Sequence, residues 1–291
     1  MENNSIDIST NSLKNLRKNK TKSRIIKGFI YLMAFITLAV LFYLIIYMLV
    51  NGIPHLRPSM FSNHYTSKNV SMMPSIKTTI ILVLLTLLIA SPIGIFTAIY
   101  LSEYSKSNSK VVTLIRLATE TLSGIPSIVY GLFGMLLFVM RLKFRYSLIS
   151  GVLTMFIMVL PLIIRASEQA LLSIDDELRA GSYALGAGKL YTIRKVLLPV
   201  AMPGIMAGII LSIGRVVGET AALMFTLGTD PRVPSSLMQS GRSLALHMYV
   251  LSSEGFHVEE SYATGVVLVI LVLIINIISN LIGKKLTKGS K

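Results

Sequence analysis

The chain has 291 residues, 53% of them hydrophobic and only 14% charged, with a mean hydropathy of +0.70. A soluble domain of this length carries far more charge, so the composition indicates an all-α integral membrane protein. The absence of cysteine excludes disulfides, thiolate metal sites and cysteine nucleophiles. His55, His64, His247 and His257 lie outside the long apolar runs at no ligand spacing, so no metal or cofactor is expected.

Residues 1–27 form a polar head that carries Lys14, Arg17, Lys18, Lys20, Lys22, Arg24 and Lys27. The first apolar run, 28–50, is long enough at about 1.5 Å per residue to cross a hydrocarbon core of about 30 Å. It leads into NGIPHLRP, with no small-residue cleavage site, and reads as a retained helix rather than a signal peptide. A loop, 51–75, separates it from a core at 76–283 with five further spans: 76–101, 113–140, 147–165, 200–227 and 262–283. Six spans put head and basic tail (284–291) on one side. Of the 28 lysines and arginines, 19 then fall on that side, which the positive-inside rule makes the cytoplasm. The net charge of +15 is therefore a topology signal, and nucleic acid is not an expected partner.

The third span contains ETLSGIPSIVYGLFG, 120–134. Pro126 lacks a backbone donor and Gly124 loosens the turn, so the freed polar groups must be satisfied inside protein. Ser123, Ser127 and Tyr130 stand near this break, in either a kinked packing helix or an element lining a pore. RLKFRY, 141–146, places Arg141, Lys143 and Arg145 on the external side, as interfacial anchors or as a cationic rim that attracts anions.

On the cytoplasmic side, about 166–199, Ser173 and Asp176 stand at capping-box spacing, which predicts a helix start. The helix runs through Glu177, Leu178 and Tyr183 to a turn at Leu185, Gly186 and Gly188. A second short helix is expected over Tyr191 to Leu198, with Pro199 and Pro203 marking re-entry into the membrane. GAGKLYT is not a phosphate loop, because Tyr183 and Leu190 occupy positions that need glycine and a hydroxyl residue.

Within the fifth span, IGRVVGETAALMF puts Arg215 and Glu219 four residues apart. Counted from Pro203, Arg215 lies about 18 Å into the span, near the midplane, where a lone charge costs about 2.5–3.5 kcal/mol. The i, i+4 spacing puts both charges on one helix face. They form either a structural pair or an anion site in which Glu219 holds Arg215 until substrate arrives. Gly204 with Gly208, and Gly214 with Gly218, form small-residue ridges that admit a close helix neighbour. The same spacing logic pairs Arg165 with Glu168 and Arg116 with Glu120, as structural pairs or as an inner gate. In the external stretch 228–261 a short helix is expected around Ser243–Ser252, either bordering an external partner or capping the surface.

The cytoplasmic segment resembles the coupling loop of type I ABC importer permeases: Gly186, Val196, Leu198 and Pro199 match its spacing, while Ala180, Gly181 and Ser182 replace the expected Glu-Ala-Ala. Glu177, three residues before Ala180, can supply the missing carboxylate. Together with ETLSGIPSIVYGLFG, RASE, GRVVGETAAL and SLALHMYVLSSEG, the region of about 75–283 is similar to the phosphate-specific branch of that family, and to its A-type more than its C-type. This resemblance implies six transmembrane helices and inward transport of inorganic phosphate by alternating access, in a bacterial cell membrane. It implies a second homologous permease, an ATPase dimer and an external phosphate-binding protein as partners, with ATP hydrolysed on the ATPase. It makes Arg165, Glu168, Arg215 and Glu219 the transport-critical charges. Another oxyanion (molybdate, sulfate or phosphonate) is the alternative substrate, and a non-transporting scaffold or signalling component the alternative role. A secondary transporter would show an internal repeat, and none is visible.

Overall fold

The computed structural model describes residues 2–105 and 109–288, with side chains from residue 22 onward and not at 282 or 284–288. The basic side chains of the head up to Lys20, and those of the tail, lie outside the described residues. The chain divides into two units, residues 1–51 and 52–291. The first is most of one helix, α1 (Glu2–Gly52). Its side chains from Lys22 to Tyr43 are exposed, Phe29, Tyr31 and Phe35 among them, as on a helix whose solvent is lipid.

Among its described residues the second unit has helices and loops and no strand. It comprises α2 (Met73–Ile99), α3 (Lys110–Ser123), α4 (Ser127–Gly134), α5 (Leu148–Leu172), α6 (Asp176–Ala184) and α7 (Lys189–Thr192), followed by α8 (Leu198–Gly218), α9 (Ala221–Met224), α10 (Leu244–Ser253) and α11 (Val258–Lys288). Among the described residues five helices are long and apolar enough to cross a membrane. A sixth span exists if α3 and α4 count as one, although they meet at 104°. The break is sharper than the kink expected from Pro126.

Helix α5 is central. In its most apolar stretch 61% of residues are buried, against 33% for α2 and 28% for α11. It packs on α8 through small residues, because a Cβ on Gly204 would lie 2.6 Å from the Ala170 Cβ, and one on Gly208 would collide with Ala166. The expected ridge is thus filled by a helix of the same chain. Gly94 brings α2 onto Ile163 of α5 in the same way. Around these contacts Leu82, Met155, Met158, Ile163, Val216 and Leu223 form the main core, and Ile99, Leu171, Ile193 and Leu197 a second core at the cytoplasmic-loop end.

Three local expectations are corrected. Ser173 caps the end of α5, its hydroxyl donating to the Ala170 carbonyl, and α6 starts after Asp175 instead. The second short helix is no separate element, because α7 and α8 join through a π-helical turn, Ile193–Leu197, into one rod, Lys189–Gly218. Pro199 removes the donor that the Lys195 carbonyl would take, and the turn before it widens. Finally, α8 ends at Gly218, where Glu219 turns extended (φ −74°, ψ 130°), so the span does not run on as a helix to 227.

The segment between α9 and α10 packs back on the start of α5. Carbonyls of Leu237 and Gln239 accept from the first free amides of α5, Ile149 and Leu148, at 2.9 and 2.8 Å. Helix α10 starts on the Ser243 cap, as expected, and buries Leu244, Leu246, His247 and Leu251. Burial, with the Arg242 charge beside it, pulls the His247 pKa down to about 3.

Two outcomes follow from this packing. Replacing Gly208 with leucine forces α5 and α8 apart and lowers stability by about 1–3 kcal/mol, read as a lower thermal midpoint in detergent. Unfolded histidine binds a proton below about pH 6.5, whereas folded His247 stays neutral down to about 3. Stability therefore falls as pH drops through that window, and His247→Gln flattens the pH dependence of the midpoint.

Candidate functional site

Two groups of residues carry the chemistry, one around the broken spans and one at the loop end. At the first break, the Leu122 carbonyl would bond the amide that Pro126 lacks. It accepts instead from the Tyr130 hydroxyl at 2.6 Å and from the Ile125 amide at 3.1 Å. Tyr130 is thereby buried, at 4% exposure, and occupied in holding α4 to α3. The Ser123 hydroxyl donates to the Glu120 carbonyl, and Ser127 is the half-buried first residue of α4. A Cβ on Gly131 would stand 2.7 Å from the Ala222 Cα, so α4 lies tight against α9.

At the second break the expected Arg215–Glu219 pair does not form. With α8 ending at Gly218, Glu219 leaves the helical face, and its Oε1 accepts from the Ala222 amide at 3.0 Å. The carboxylate is buried and caps α9, supplying the acceptor that a helix start needs. Arg215, in the last turn of α8 rather than mid-helix, is half-buried. Among the described residues no carboxylate lies within ion-pair distance of it. It lines a hollow of about 460 Å³ with Leu162, Ile210, Leu211, Gly214 and Asn276. A Cβ on Gly214 or Gly218 would meet nothing within 4 Å, so this second ridge stays open.

The other four charges pair between helices, not along them. Arg116 on α3 binds Glu168 on α5 through Nε at 2.8 Å and Nη2 at 2.7 Å. Arg165 on α5 faces Glu120 on α3 at 4.0 Å. The intrahelical pairs expected from spacing are thus exchanged for two crossed pairs that tie α3 to α5. The inner one is tight, with the Glu168 side chain 11% exposed; the outer one is loose, with that of Glu120 at 71%. An exposed pair contributes little in water, so the first carries the tie.

At the loop end, α6 and the start of the α7–α8 rod enclose an open hollow of about 790 Å³, lined by Glu177, Leu178, Gly181, Leu185, Gly186 and Tyr191. Gly186 turns the chain at φ +81°, a left-handed conformation that glycine adopts without a Cβ clash. Leu185 is 91% exposed at its tip; Leu178, Tyr183 and Tyr191 are also exposed, while Pro199 is half-buried in the rod. Apolar side chains held out on a short helix form a surface for a partner. What holds this helix is Arg179, a residue that spacing did not single out. Its guanidinium donates to Glu103 Oε1 through Nε at 3.2 Å and Nη2 at 3.0 Å. It also reaches the carbonyls of Leu171 at 2.8 Å and Ile174 at 2.7 Å. The Glu103 side chain is only 5% exposed. Its partner stands 76 residues away, so no local pattern could have shown the pair.

Residues 90–290 match the family described as binding-protein-dependent transport system inner membrane component. A probable ABC transporter permease protein, YqgI of Bacillus subtilis, is 33% identical over 290 residues, covering 92% of this chain and 98% of that one. The phosphate transport system permease protein PstA 1 of Mycobacterium tuberculosis is 36% identical over 190 residues, 65% of this chain and 62% of that protein. Among solved structures, the inward-facing MetNI methionine ABC transporter superposes with a TM-score of 0.58 at 22% identity, over 74% of this chain and 93% of the other. A bacterial alginate ABC transporter with its periplasmic protein gives 0.59 at 15%, over 87% and 96%, a likeness of fold alone. The broken spans, the unpaired intramembrane arginine and the apolar loop held out by Arg179 therefore sit in a member of the binding-protein-dependent transport system inner membrane component family, a multi-pass permease subunit of an ABC importer.

Proposed function

We propose that this permease conducts inorganic phosphate inward, with Arg215 as the residue that meets the anion. The observation that carries the reading is a half-buried guanidinium in an apolar hollow, without a carboxylate partner among the described residues. An intramembrane charge left unpaired marks a pathway rather than a packing contact. The planar guanidinium fork matches two oxygens of a tetrahedral oxyanion through charge-assisted hydrogen bonds. Relatives named as phosphate permeases support this substrate over another oxyanion. Glu219 acts here by capping α9, which fixes the chain directly after Arg215.

The rest of the cycle follows from the coupling surface. A separate ATPase dimer receives α6 and the Leu185 tip, and a second, homologous permease meets the open Gly214–Gly218 ridge. An external phosphate-binding protein delivers the anion. The excess of lysine and arginine on one side supports a cytoplasmic head, tail and coupling loop. ATP binding closes the ATPases and moves α6; Arg179 transmits that motion to the end of α2 through Glu103 and to the end of α5 through the Leu171 carbonyl. The crossed Arg116–Glu168 and Arg165–Glu120 pairs make α3 and α5 move together at the inner mouth.

In cells carrying the complete transporter, Arg215→Gln is expected to abolish labelled phosphate uptake at normal membrane levels, with sulfate and molybdate failing to compete in the intact strain. Retained uptake returns Arg215 to a structural role, and competition reassigns the substrate. Glu168→Arg strands Arg116 beside a like charge and lowers uptake by about tenfold or more; adding Arg116→Glu restores much of it if the cross-helix pair is what matters. Leu185→Asp, at an exposed position, is expected to leave the thermal midpoint unchanged and to remove phosphate-stimulated ATP hydrolysis by the assembled complex.

A further inference from the structure

The hollow beside Arg215 contains one other polar side chain, that of Asn276 on α11. It interrupts a run that is otherwise apolar from Val266 to Ile278. Its Oδ1 is closed off from solvent and has no hydrogen-bond partner. A buried amide oxygen without a donor is destabilising, and leucine at this position would remove that penalty. The donor that Asn276 Oδ1 needs is therefore one that the described residues do not provide.

The chemistry of the two side chains differs. A guanidinium offers only donors, whereas the Asn276 oxygen is an acceptor. A ligand complementary to both carries ionised oxygens and at least one hydroxyl. Inorganic phosphate keeps a P–OH throughout the physiological pH range; sulfate and molybdate are fully ionised there and have no proton to donate. Against them Asn276 Oδ1 would face a second acceptor, the arrangement by which a polar site rejects an analogue that lacks its hydrogen-bonding partner.

We propose that Asn276 selects a protonated tetrahedral oxyanion at this site. Its Oδ1 accepts from the ligand hydroxyl while Arg215 holds the ionised oxygens. The inference deepens the phosphate reading and rests on it. It also involves a third helix in recognition: Leu162 comes from α5, Arg215 from α8 and Asn276 from α11, so a relative movement of these helices in the cycle would open or close the site.

The test is equilibrium binding of labelled phosphate to the purified complete transporter without ATP, with sulfate as competitor, in the wild type and in Asn276→Leu, Asn276→Asp and Arg215→Gln. The wild type is expected to bind phosphate and ignore sulfate. Asn276→Leu weakens phosphate binding on the order of tenfold and lets sulfate compete. Asn276→Asp keeps the shape but sets a carboxylate beside Arg215, and is expected to abolish binding. Size-exclusion profiles establish assembly, and the isosteric aspartate carries the test if the leucine variant does not assemble. Unchanged phosphate binding in an assembled Asn276 variant, or continued rejection of sulfate by Asn276→Leu, overturns the assignment. If Arg215→Gln abolishes binding while the Asn276 variants bind as wild type, only this inference falls. If the wild type binds sulfate and not phosphate, the substrate reading falls with it.

Discussion

A bilayer interior offers no water to a backbone amide or carbonyl, so every interruption of a helix there has to be repaired from within the chain. Much of this structure is a set of such repairs. Where Pro126 deprives the Leu122 carbonyl of its amide, the Tyr130 hydroxyl comes back from the next helix to bond it. Where α8 stops at Gly218, the Glu219 carboxylate turns to the first amides of α9. At the start of α5 the open donors are met by carbonyls of Leu237 and Gln239, from a segment that lies far along the chain. The first two repairs use side chains, Tyr130 and Glu219, that composition alone would assign to a pathway.

That use changes what is left for function. With Tyr130 and Glu219 engaged in holding broken backbone, Arg215 remains as the charged group at this level without a carboxylate counterpart among the described residues. The break after Gly218 thus supports the site in two ways: it removes the countercharge from the helix face, and it terminates the rod just past the arginine. A continuous helix would have brought Arg215 and Glu219 together, leaving a neutral pair with little to offer an anion.

At the other end, coupling depends on rigidity rather than on chemistry. The rod from Lys189 to Gly218 links the loop hollow to the last turn that carries Arg215, so displacement at one end is carried to the other without a hinge between them. Arg179 locks the neighbouring helix α6 to the turn that follows α2, through a nearly buried carboxylate, and to the end of α5 and the link beyond it, through the Leu171 and Ile174 carbonyls. Charge-assisted bonds of this type are about twice as strong as neutral ones, which keeps α6 in place against the ends of the longer helices. The crossed pairs between α3 and α5 serve a related purpose on the inner rim.

The sequence by itself determined the class, most of the apolar spans, the glycine turn at Gly186 and the short helix around Leu244, because hydrophobic run length and glycine are local properties. It drew attention to Arg215, Arg165, Glu168 and Glu120 as charges in or near apolar spans, yet paired each one with a neighbour on its own helix that the structure does not give it. Spacing of three or four along a helix is visible in sequence, whereas a partner on another helix, 52 residues away for Arg116 and Glu168, is not. The same limit hid Arg179 with Glu103 and the orphaned oxygen of Asn276, a residue that lines the hollow beside Arg215. Only the tertiary structure decided that α3 and α4 meet at 104° and that α8 ends at Gly218. The sequence offers a proline or a glycine as an opportunity for a break, and packing against neighbouring helices determines how far the chain takes it.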